Sequence, residues 1–74
     1  MIMDRNEYYK KECNRILDNL AVITSEIDLA QARIDDFKNI LGEWNYFRLN
    51  EELAKKRNRN ERMIREIRFQ LKGL

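Results

Sequence analysis

Apolar side chains fall at Tyr9, Cys13, Ile16, Leu20, Ile23, Ile27, Ala30, Ile34, Phe37 and Leu41, at spacings of 4, 3, 4, 3 without a slip. An unbroken 3.5-residue period of this length constrains the chain to a helix that lays one narrow seam against another helix. Carried past Gly42 in the same phase, the seam would include Arg48, Glu51, Lys55, Asn58, Arg62, Arg65 and Lys72, which no seam tolerates. A second phase, offset by two residues, gives Tyr46, Asn50, Leu53, Arg57, Asn60, Ile64, Ile67, Leu71 and Leu74. Coiled coils absorb insertions of three or four residues, so an offset of two is more simply explained by a reversal of chain direction.

The expected fold class is therefore all-α, an antiparallel two-helix coiled-coil hairpin. Asp4 is placed to cap the first helix, with Glu7 at its third position and Met3 and Tyr8 as a hydrophobic staple. Helix 1 is predicted over about 4–41 and helix 2 over about 46–72, with a turn at about 42–45. Gly42 supplies a residue without Cβ for a left-handed C-cap, and Asn45 an N-cap flanked by the staple pair Trp44 and Leu49. Folding helix 2 back sets Phe37 near Asn50, Ile34 near Leu53, Ala30 near Arg57, Ile27 near Asn60, Ile23 near Ile64 and Leu20 near Ile67. Helix 2 is weaker in its middle, because Lys55 to Arg62 contains no apolar side chain.

Charge supports the same arrangement. Residues 1–41 carry six basic against eight acidic side chains, net −2, whereas residues 42–74 carry nine against five, net +4. An antiparallel hairpin sets the acidic stretch beside the basic one. The longest purely apolar run is Leu20 to Ile23, far short of the roughly 20 residues a membrane span needs. The first residues lack the pattern of a secretory signal, and one unpaired cysteine fits a reducing, cytoplasmic setting.

At 74 residues, a single core only marginally offsets chain entropy. Val22, Leu29 and Ile40 on helix 1, with Leu49 and Met63 on helix 2, fall outside the seam. Such a surplus predicts a second copy as partner, giving a homodimer and a four-helix bundle with these five residues as the dimer face.

The chemistry available is sparse. There is no His, so Cys13 has no imidazole base and reads as a small buried hydrophobe. Asp35 and Asp36 point about 100° apart on a helix, and Asp28 lies two turns from Asp35, so neither arrangement forms an acid–base pair. No catalytic residue, cofactor, metal or small-molecule substrate is expected. Asn50-Glu51-Glu52-Leu53-Ala54 resembles the Ser-Gln-Glu-Leu-Asp signature of the small helical-hairpin aspartyl-phosphate phosphatases of sporulating bacteria. The resemblance covers five residues and has Ala54 where the signature ends in Asp, so membership is not assigned.

Binding surfaces remain. Trp44, Tyr46 and Phe47 cluster at the turn with Arg48, and aromatic residues and Arg are the types enriched at interface hot spots. Phe69 is likewise unexplained by the hairpin, and helix 1 overhangs helix 2 by about nine residues, which leaves Tyr8 and Tyr9 without an intramolecular partner. These residues, Trp44, Phe47, Arg48, Phe69, Tyr8 and Tyr9, are the candidate contacts to a larger protein. The resulting expectation is a non-catalytic protein–protein interaction module, a small regulatory, adaptor or inhibitor protein of phage or bacterial accessory type. The alternative is a nucleic-acid binder using Lys55, Arg59, Arg62 and Arg65, a cationic ridge on the outer side of helix 2. Intrahelical pairs Glu51–Lys55, Glu52–Lys56 and Glu61–Arg65 would instead make that ridge an ordinary solvated face.

Overall fold

The computed structural model describes residues 4–74, which form helix α1 over Arg5–Asp36 and helix α2 over Lys38–Lys72, with a break inside the latter at Gly42. The two helices pack against each other as a hairpin, and no strand occurs among the described residues. The molecule measures 58 × 20 × 11 Å, about two helix diameters wide and one thick.

α1 begins directly after Asp4, as the capping pattern implies, and the Asp4 carbonyl accepts the Tyr8 N–H at 2.9 Å. The Asp4 carboxylate makes no capping hydrogen bond, and Met3 of the expected staple lies outside the described residues. The helix ends at Asp36, five residues before the predicted Leu41. Phe37 leaves helical geometry at φ −102°, ψ 14°, although its N–H still reaches the Arg33 carbonyl at 3.1 Å.

Residues 38–41 form a single turn, whose last two N–H groups, of Ile40 and Leu41, both donate to the Phe37 carbonyl. Gly42 then takes φ 81°, ψ 160°, a conformation essentially restricted to glycine. The reversal thus occupies positions 37–42, rather than the predicted 42–45. Asn45 does not act as an N-cap. It lies within the helix, and its side-chain amide donates to the Leu41 carbonyl at 3.0 Å, across the break at Gly42. Beyond it α2 is helical to Lys72, including the stretch Lys55–Arg62 that carries no apolar side chain.

The earlier reversal slides α2 along α1. Asn60, expected beside Ile27, donates instead to the Leu20 carbonyl at 3.2 Å and to Thr24 Oγ1 at 2.7 Å. Arg57, expected beside Ala30, pairs with Asp28 at 2.8 Å, and Asn50, expected beside Phe37, accepts a hydrogen bond from Gln31 at 2.8 Å. The displacement averages about one helical turn.

α1 also rolls about its axis. Its more enclosed positions are Glu12, Cys13, Leu17, Leu20, Thr24, Ile27, Ala30, Gln31 and Ile34; this phase keeps Cys13, Leu20, Ile27, Ala30 and Ile34 of the expected seam and takes Leu17, Thr24 and Gln31 as companions. Tyr9, Ile16, Ile23 and Phe37, read from the sequence as seam residues, are exposed. The seam of α2 matches its predicted phase at Tyr46, Leu53, Arg57, Asn60, Ile64, Ile67 and Leu71.

Candidate functional site

Only Cys13, Leu20 and Ile27 are buried apolar residues, and Asn60, at 5% exposure, is the buried polar one among the described residues. The seam is therefore organised by polar pairs as much as by apolar contact. Thr24 Oγ1 accepts from Asn60 and itself donates to the Leu20 carbonyl at 3.1 Å, so the buried amide and hydroxyl satisfy each other. Buried polar groups cost stability unless bonded, and a bonded one fixes register because any slip would orphan it.

A second network closes the hairpin near the reversal. The Tyr46 hydroxyl donates to Asp35 Oδ1 at 2.8 Å, and the Gln31 amide spans the same carboxylate oxygen at 3.1 Å and Asn50 Oδ1. Lys38 Nζ lies 4.8 Å from the centre of the Tyr46 ring, within cation–π range. The hydrogen bond to Asp35, with smaller contributions from burial and from the carboxylate charge, holds the Tyr46 phenol above its ordinary value. Asp28 and Asp35, the spaced carboxylates of the sequence, are thus engaged by Arg57 and Tyr46 in holding the two helices together.

The predicted interaction residues form separate surfaces. At the reversal, Trp44 is 70% exposed and shares a shallow depression with Lys38, Glu43, Tyr46 and Phe47. Phe37 and Ile40 are exposed in the same loop, Ile40 at 80%. Trp44 therefore does not serve as the staple expected of it. Arg48 lines a neighbouring depression with Leu41, Asn45, Leu49 and Glu52. Tyr8 and Tyr9, in edge-to-face contact at 5.9 Å, belong to the opposite end of the hairpin. Phe69, 77% exposed on α2 beside Arg65, Glu66 and Gln70, lies toward that same end.

The five residues expected to form a dimer face are all exposed but do not converge. Val22 and Leu29 precede Ile23 and Ala30 by one residue, so each points about 100° farther round the helix from the seam. Ile40 sits in the reversal, and Leu49 beside Leu41 and Arg48. Met63 alone of the five lines a longitudinal groove of about 400 Å³ between the helices, with Ile23, Ile27, Ala30 and Leu53. The sequence phase does not reveal this groove, because it places Ile23 in the seam.

The basic residues do converge. Lys55, Arg59, Arg62 and Arg65 line one shallow depression together with Asn58. Of the intrahelical pairs expected there, none forms among the described residues; Lys55 instead meets Glu52 one turn away at 3.9 Å, with both side chains well exposed. Among the described residues no group of three or more His, Cys, Asp or Glu is arranged to hold a metal, and no helix is long and apolar enough to cross a membrane. No protein-family model, curated protein or solved structure matches the chain.

Proposed function

We propose that this hairpin is a non-catalytic protein-binding module, a small regulatory, adaptor or inhibitor protein that self-associates and presents its reversal to a larger protein. The observation that carries the reading is the set of exposed apolar and aromatic side chains, Phe37, Ile40, Trp44 and Phe47, gathered within eleven residues around the break at Gly42. None has a role in the seam, and exposed aromatic clusters with an adjacent Arg, here Arg48, are the composition of binding hot spots. The polar clamp of Tyr46, Asp35, Gln31 and Asn50 holds that end of the hairpin in one shape, which lowers the entropic cost of docking. An unpaired, buried Cys13 is compatible with a reducing cytoplasm.

A second reading is favoured by the convergence of Lys55, Arg59, Arg62 and Arg65 in one depression, which suits the phosphate backbone of a nucleic acid. Capture from a cell lysate separates the two. The first reading expects a protein retained at both low and physiological salt and lost with the double variant Trp44→Ala, Phe47→Ala. Recovery of nucleic acid alone, eluting steeply as salt rises and lost with Arg59→Glu and Arg62→Glu, would establish the second reading and overturn the first.

A further inference from the structure

The groove between the helices has an occupant that its own chemistry selects. From the sequence of the two seams, α1 should spend Ile16, Ile23 and Ala30 on α2. The roll of α1 instead turns Ile16 and Ile23 onto one flank of the hairpin, leaving Ile23 41% exposed beside Met63, which is 43% exposed on α2. The floor between them is Ile27, Ala30 and Leu53, so the flank is a continuous apolar trough along both helices. Three buried apolar residues make too small a core for a chain of this length, and the trough is where further burial is available.

The rim of the trough is charged, and the charges are segregated by helix. Glu26 stands on the α1 side, whereas Lys56 and Arg59 stand on the α2 side. None of the three is in an ion pair among the described residues. A surface carrying one sign along one edge and the opposite sign along the other is complementary to itself under one particular symmetry operation. If the two-fold axis runs parallel to the helices, α1 of one copy lies over α2 of the other at the same height, and Glu26 meets Lys56 and Arg59. If the axis runs across the helices, α1 faces α1 and Glu26 meets Glu26, which is repulsive.

We infer that the trough is covered by a second copy of this chain, related by a two-fold axis parallel to the helices, giving a four-helix bundle with both reversals at the same end. This rests on the reading of the hairpin as a self-associating module and specifies its face and symmetry. Ile23, Ala30 and Met63 form the new core layer, and Val22 and Leu29 stay outside it. The paired reversals place two Trp44–Phe47 clusters side by side, so the dimer offers a bivalent docking end.

Light scattering together with dipolar electron resonance tests this on the full chain, carrying a nitroxide at Glu43→Cys in a Cys13→Ala background. The inference expects twice the 9.1 kDa chain mass. It expects an intermolecular label distance of about 20–30 Å, two to three helix diameters. A dimer with labels separated by nearly the 58 Å length of the molecule would overturn the symmetry proposed here while leaving self-association intact. A monomer at high concentration would overturn both. Independently, Ile23→Glu should weaken the dimer about 30-fold or more, as burial at an interface centre implies, with helix content unchanged. Val22→Glu should leave the dimer intact; the reverse pattern would contradict the assigned face.

Discussion

Asn60 Nδ2 stands 2.7 Å from Thr24 Oγ1, a bond between the two helices made in the most enclosed part of the seam. It ties the rotational phase of α1 to the axial position of α2, because either a roll or a slide would leave a buried amide without a partner. The first test removes half of it. Thr24→Val keeps the side-chain shape and deletes the acceptor, and should cost about 1–2 kcal/mol in urea denaturation. Asn60→Leu together with Thr24→Val should recover most of that loss, since replacing both partners by apolar groups is nearly neutral. Additive losses in the double variant would show that the bond does not couple the helices.

The same bond explains what the sequence could and could not reveal. Two helices, their antiparallel packing and the phase of α2 from Leu53 to Leu71 follow from apolar spacing, and Cys13, Leu20, Ile27, Ala30 and Ile34 belong to both the expected and the observed seam. The choice between Ile16 and Ile23 on one side of that row and Leu17, Thr24 and Gln31 on the other is not settled by hydrophobicity, which favours the first set. It is settled by the polar residues of α2. Asn50, Arg57 and Asn60 all sit at seam positions, and Gln31, Asp28 and Thr24 supply their partners. Asking what would satisfy those three groups was the available signal. The start of the reversal is hidden for a different reason: Gly42 marks its end, and nothing local distinguishes Phe37 as its beginning.

Alkaline pH should loosen the closed end of the hairpin. The Tyr46 phenol is raised above 10.0 by its hydrogen bond to Asp35, so the folded state holds that proton more tightly than the unfolded chain does. The contribution to stability is fully present below pH 10 and is lost as pH rises from there through the folded-state value. Urea midpoints for the wild type and Tyr46→Phe should therefore differ at neutral pH and converge in strong base. A gap that stays constant or widens would contradict the linkage.

Gly42 has nothing within 4 Å of the position a Cβ would take, so its requirement is conformational and not steric packing. At φ 81°, ψ 160°, Gly42→Ala should cost about 1–3 kcal/mol by backbone strain alone. Gly73→Ala, where φ is negative and the Cβ would meet one carbonyl at 3.5 Å, should cost about 0.5 kcal/mol or less. Equal effects in thermal unfolding would remove the special role of position 42.

The reversal residues should separate stability from binding. Trp44 and Phe47 are exposed, so replacing either with Ala should shift the free energy of unfolding by no more than about 0.5 kcal/mol. A larger loss, measured by denaturant titration at concentrations that hold the oligomeric state constant, would mean that these side chains support the hairpin and are not available to a partner.

The most direct measurement of the account is an intramolecular distance across the two helices. Nitroxides at Ser25→Cys and Asn58→Cys, in a Cys13→Ala background diluted with unlabelled protein, report on one chain at a time. The hairpin predicts a separation of about 15–25 Å, adjacent helices plus the label linkers. An uninterrupted helix would hold the labels, 33 residues apart, at about 50 Å. That longer distance would mean the chain does not double back between Phe37 and Gly42.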